Sequence, residues 1–201
     1  MNFSEIKNLV VSITSRPDLE IQINSRIKWA VKHAHTLVDQ DSDLVDVLMV
    51  NVTNSASKVG TFPLPARMRK PVAVLPHDEA TNLPYVGKFL DLLKATSLVE
   101  AQRRGEDVDT YYINSLGMSY KTDQAIRVAR MYYYAFPDIT SAVDETEVGL
   151  MVEYGEAIAD LVASKVLQSV GENEQSGVLF ASWQTVATDI INTEGRQPYA
   201  N

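Results

Sequence analysis

The chain has three histidines and no cysteine in 201 residues. Thiolate nucleophiles, disulfides and cysteine-bound metals are therefore excluded, and imidazole chemistry has few places to occur. His35 and Asp39 are four residues apart, a spacing that puts both on one helix face and suits a metal ion, with Asp41 and Asp43 as further oxygen donors. The competing reading is a solvated helix end, and the sequence favours it because no second histidine or carboxylate is spaced to complete the coordination set. His33 is expected on the polar side of the same helix, exposed. His77 stands beside Asp78 and Glu79 in a proline-rich stretch, with no nucleophile arranged around it.

Glu153, Glu156 and Asp160 recur at three and four residues. Paired carboxylates do acid and base work only when burial separates their affinities for a proton, and here they alternate with an apolar stripe as an exposed face does. No phosphate-binding loop is present, and the nine glycines do not cluster. Tyr111-Tyr112 and Tyr132 to Tyr134 could stack on bases. In a strand, however, alternate rings go to opposite faces, so one set is expected in the core and the other at an interface or in solvent. Arg67, Arg69 and Lys70 form the one basic cluster, set in a stiff, proline-framed loop. Two readings stay open for it, docking onto an acidic partner or a solubilising loop.

The net charge of −8 argues against a general nucleic-acid binder, which needs surplus lysine and arginine to displace counterions. No signal peptide and no run long enough to span a membrane is read, so the default is a soluble protein made in the cytoplasm.

The elements that must position these residues follow from periodicity. Phe3, Ile6, Val10 and Ile13 predict a helix over 3–14, with Ser4 as a candidate N-cap. Leu19, Ile23, Ile27, Ala30, Val31, Ala34, Leu37 and Val38 predict a core-facing helix within 15–38, opened by Pro17 with Asp18 and Glu20 at its positive end. Trp29 lies off that stripe. Val45 to Asn51 read as a strand with 57–62 as its hairpin partner. Residues 63–76 carry four prolines, which leaves an edge strand around 72–75 or an extended loop. A helix is expected over 86–104 and strands at 110–114 and 118–122. For 123–134, strand and helix both remain open. Together 45–75 and 110–139 are expected to make one small antiparallel sheet. Helices over 145–170 and 173–193 follow, with Gly171 as a C-terminal cap and 194–201 as a polar arm.

The fold class is thus α+β: a single domain, 1–201, in which N- and C-terminal helix pairs (3–38 and 145–193) form a bundle and a small β-rich subdomain, about 45–139, is inserted between them.

The order of four fragments resembles the head-to-tail adaptor (connector or tail-completion) proteins of tailed bacteriophages. They are Thr14, Arg16, Pro17, Asp18, Leu19, Ile23, His35 and Asp39; then Leu64, Pro65, Arg69 and Lys70; then Asp109, Tyr111, Tyr112 and Ile113; then Tyr133, Tyr134 and Pro137. One departure is that the family often shows a T-S-W-I-like start to its penultimate helix, where this chain reads SAVDETEVGLM, Ser141 to Met151, with its tryptophan at Trp183. The resemblance implies a non-enzymatic structural virion protein of the neck, a homo-oligomeric and usually dodecameric ring under the portal protein. Tail or nozzle proteins would dock on it, and DNA would pass through its lumen without specific binding. It implies no cofactor, metal or membrane. The basic 67–70 segment and acidic helix faces would supply complementary contacts, and the arm, through Arg196, Pro198 and Tyr199, would order on the portal. The alternative is a small soluble enzyme or ligand-binding domain with an unrecognised site.

Overall fold

The computed structural model describes residues 1–40, 43–77, 93–94, 110–139 and 149–193. They fall into two compact units, one made of Met1–Asp43 with Phe136–Asn201 and the other of Leu44–Ala135. The class is α+β, with helices at both ends of the chain and strands between.

In the helical unit, α1 (Phe3–Thr14) starts from Asn2, not Ser4. The Asn2 side chain accepts from the Glu5 N–H at 2.9 Å, and the Glu5 carboxylate accepts from the Asn2 N–H at 2.8 Å. This reciprocal cap satisfies two donors that a serine one residue later would leave open. Ser15, at φ 52°, ends the helix in the left-handed region. A single 3₁₀ turn, Pro17–Leu19, leads into α2 (Glu20–Ala34). Arg16 bonds Asp18 across this turn at 2.9 Å, which holds the Asp18 carboxyl below the usual carboxylate range. The α2 stripe is buried as its spacing predicts, at Ile23, Ile27, Ala30, Val31 and Ala34. Trp29 is not part of it, being 39% exposed.

The two C-terminal helices are α3 (Leu150–Ser169) and α4 (Asn173–Thr193). α1, α2 and α4 all pack on α3. Gly171, at φ 89°, makes the turn between α3 and α4 that a left-handed glycine permits.

In the β unit, β1 (Leu44–Val50), β7 (Val128–Ala135) and β3 (Met68–His77) form a three-stranded antiparallel sheet with β7 in the centre. The second sheet has the order β2 (Ser57–Phe62), β6 (Gly117–Ile126), β5 (Thr110–Asn114) and β4 (Leu93–Lys94), with the β4–β5 pair parallel. Met49, Val74, Met131 and Tyr133 from the first sheet share one core with Phe62, Met118 and Tyr120 from the second.

The expected single sheet is therefore two, and the expected β1–β2 hairpin is not made: β1 pairs with β7 and β2 with β6. A buried polar network explains the split. Asn51, just past β1, donates to the Tyr120 hydroxyl at 2.5 Å and accepts from the Thr53 N–H and hydroxyl at 2.9 Å. Its own N–H donates to the Arg127 carbonyl at 2.8 Å. The connection is thus bonded to β6 and the β6–β7 bend, and the chain changes sheet there. Residues 123–134 are strand on either side of Arg127, not helix. The proline-rich stretch is an edge strand, as one of its two readings held, since among the described residues β3 bonds to β7 alone. The helix expected over 86–104 lies outside the described residues, except that Leu93–Lys94 are strand.

Gly60 packs against this network: a Cβ there would lie 2.6 Å from the Tyr120 hydroxyl and would also meet the Asn51 amide. Gly60→Ala is expected to lower stability by about 1–3 kcal/mol, the usual cost of overpacking, as read by urea unfolding.

Candidate functional site

The basic cluster is placed differently from its expected loop. Arg67 is exposed in a turn, but Arg69 and Lys70 belong to β3. Met68 faces Ala135 and Lys70 faces Tyr134, so Arg69 is one extra residue in the ladder, a β-bulge. In a regular strand neighbouring side chains point to opposite faces; the bulge removes that alternation. Both cations consequently reach the same ring, with the Arg69 guanidinium 5.4 Å and the Lys70 ammonium 5.9 Å from the centroid of Tyr134. The ring's negative face attracts both charges; Lys70 is exposed beside it, while Arg69 is half-buried, with its Nε and Nη2 buried.

β7 supplies the rest of the face. Ala129, Met131, Tyr133 and Ala135 are buried, while Arg130, Tyr132 and Tyr134 are half-buried on the opposite side. The tyrosine run divides between faces as its strand spacing predicts. Along the other edge of the sheet, Leu44, Leu48 and Val50 of β1 are each about two-fifths exposed. Leu44 stands opposite Tyr134, and Asp46 bonds Arg130 at 2.7 Å between them. The outcome is an aromatic and aliphatic sheet face with paired cations at one end; Tyr and Arg are residue types enriched in contact patches, and contiguous exposed apolar area marks them.

The histidine readings resolve otherwise. His35 bonds Asp43, not Asp39: Nδ1 lies 2.8 Å from the Asp43 carboxylate, with both groups buried. His35 Nε2 is buried with no hydrogen-bond partner among the described residues, and Gly149, at φ 31°, lies so close that a Cβ would stand 2.7 Å from the imidazole Cε1. This pair ties the end of α2 to the residue before β1 and to the start of α3. His33 is half-buried, not exposed, because it stacks on Trp29. His77 is buried, and among the described residues neither ring nitrogen has a hydrogen-bond partner; Asp78 and Glu79 lie outside the described residues, as does Asp41. Among the described residues no three His, Asp or Glu side chains are grouped to hold a metal ion. Glu153 and Glu156 are exposed, and Asp160 accepts from the Ser182 hydroxyl at 2.7 Å. Arg196, Pro198 and Tyr199 lie outside the described residues.

Sequence reasoning missed Tyr134 as the seat of the two cations and missed the exposure of Leu44, Leu48 and Val50. One signal existed: LVDVLMV is apolar at both parities, so β1 has apolar groups on whichever face is outward. No protein-family model matches the chain, and no curated protein matches it. Among the described residues no helix is long and apolar enough to cross a membrane.

Two outcomes are expected. Asp43→Ala removes the partner of a buried imidazole and should cost about 1–3 kcal/mol in thermal or urea unfolding. A double-mutant cycle on Arg69→Ala and Tyr134→Ala should return a coupling of about 0.5–1 kcal/mol, whereas a coupling near zero would show that the ring does not seat the cation.

Proposed function

We propose that this chain is a structural virion protein, a head-to-tail adaptor that binds under the portal as a ring and presents the platform on which tail proteins attach. One observation carries the proposal: a bulged edge strand aims two cations at one tyrosine on a half-exposed aromatic sheet face. That arrangement supports binding and offers no reacting group. Held in place by the ring, the cations lose little freedom on meeting an acidic surface, so complementary charge contributes to affinity and orients the partner. The motif order from the RPD start of α2 to the Tyr-Tyr-x-x-Pro of β7 supports the same reading.

In this reading the protein is not an enzyme and carries no cofactor. Its site is the Arg67, Arg69 and Lys70 face, joined on the portal by Arg196, Pro198 and Tyr199 of the C-terminal arm. Portal and tail or nozzle proteins are its partners. The assembly sits in the virion neck, and DNA crosses its lumen without specific contacts.

Negative-stain imaging of the purified chain, alone and with its cognate portal protein, tests this. Rings, or density at the portal's narrow end, are expected, and Arg67→Glu with Lys70→Glu should abolish portal binding while leaving the circular dichroism spectrum unchanged. A monomer that ignores the portal would sink the proposal.

A further inference from the structure

Within the helical unit, the outward faces of α2 and α4 differ in charge and in texture. Past its first turn α2 carries Arg26, Lys28 and Lys32 and no acid. Its outward arc sets Trp29 between Arg26 and Lys32, each three residues away. The Trp29 ring is stacked on His33, with centroids 5.3 Å apart and planes 6° from parallel, and His33 in turn meets the buried Trp183 of α4 at 6.3 Å. An exposed indole braced in this way has little rotamer freedom left to lose when covered, and tryptophan beside arginine is the composition of a binding hot spot.

α4 presents the opposite character. Only Ser176, Trp183 and Ile190, seven residues apart, are buried. No charged residue occurs between Glu174 and Asp189, so the helix leaves about four turns of exposed surface uncharged. Its outward arc reads Gly177, Val178, Ala181, Thr185 and Thr188; Val178 is 68% exposed, and nothing lies within 4 Å of the space a Cβ on Gly177 would take. A solvated helix ordinarily carries charge there, and contact faces are depleted of it. On α4 itself Glu174 precedes the shelf by one turn and Asp189 follows it by two; from α3, Asp160 accepts from Ser182 at 2.7 Å beside it, and the one α3 cation, Lys165, lies over Phe180 at 5.0 Å.

We propose that α2 of one copy docks on α4 of a second copy, with Trp29 seated on the Gly177–Ala181 shelf and Arg26 and Lys32 facing the acids that frame it. The occupant is a second copy because the chain itself supplies both complementary halves, a cation-flanked indole and an acid-flanked shelf of small side chains. Since the two patches differ, the contact is heterologous, and copies add head to tail until the rotation closes on itself. This inference rests on the ring reading above and provides its subunit contact.

Charge reversal tests it through four proteins compared by sedimentation velocity: wild type, Arg26→Glu/Lys32→Glu, Glu174→Lys/Asp189→Lys, and the combination of all four substitutions. The wild type is expected to assemble and to lose mass as salt screens the contact. Each two-residue variant should sediment as a monomer. An equimolar mixture of the two should assemble again by alternation, because the α2 of each variant then meets an α4 of opposite charge. The combined variant, with both signs reversed, should assemble again. Ala181→Arg, which fills the shelf, should also be monomeric, and unchanged circular dichroism melts establish that the loss of mass is not a loss of fold. Variants that assemble like the wild type would overturn the α2–α4 contact and leave the ring reading standing. A wild-type chain that stays monomeric, both alone and on the portal, would overturn both.

Discussion

Burial of α3 on nearly every side is the constraint on which the helical unit depends. Twelve of its residues are buried, and three helices share its surface, so their backbones must come close. Small residues make this feasible: Ala157, Ala159, Ala163 and Ser164 are buried along it. At Gly155 a Cβ would stand 2.6 Å from the Met1 side chain. The helix leaves regular geometry at Tyr154, next to that glycine, and the Met1 nitrogen donates to the Met151 carbonyl at 3.0 Å and the Val152 carbonyl at 3.2 Å. Those acceptors lie in the distorted first turns, where a donor from outside the helix satisfies them. With α3 occupied inward, α2 and α4 each pack along one stripe and keep an outward face.

In the β unit an irregularity has the corresponding importance. β3 could have ended as a protected sheet edge, since prolines and a lysine on an edge strand discourage further pairing. Its bulge at Arg69 adds a second consequence by aiming successive side chains at one ring. A second register shift, between Pro71 and Ala73, leaves Val72 outward and 52% exposed. The strand thereby closes one edge of the sheet to hydrogen bonding while its side chains enrich the adjoining face, which suits a surface that binds through side chains.

Much of the helical unit was legible because period and burial agree there. The apolar residues of α1 and α2 occur at three- and four-residue spacing and are the ones buried; Pro17, Ser15 and Gly171 mark breaks whose physics is local. The tyrosine run was legible for a similar reason: a strand's period of two fixes which ring goes inward once strand is assumed. Residues 123–134 were ambiguous between helix and strand because their apolar groups satisfy both periods over so short a span, and pairing with β1 and β3 decided the matter. The hairpin expected from two adjacent strands failed because Asn51 finds its partners about seventy residues away, at Tyr120 and Arg127.

By itself, then, the sequence determined the α+β class, the helix stripes, the exclusion of a helix from the proline-rich stretch and the existence of a basic cluster in an acidic chain, since each is a property of neighbouring residues. Tertiary structure alone decided the division into two sheets, the pairing of His35 with Asp43, the stacking of Trp29 on His33 and the seating of Arg69 and Lys70 on Tyr134. Each of these depends on which distant segments are brought together and in what register. A one-residue bulge that shifts that register leaves no periodic trace in the sequence, yet it changes which way the side chains after it point, here until the second shift between Pro71 and Ala73.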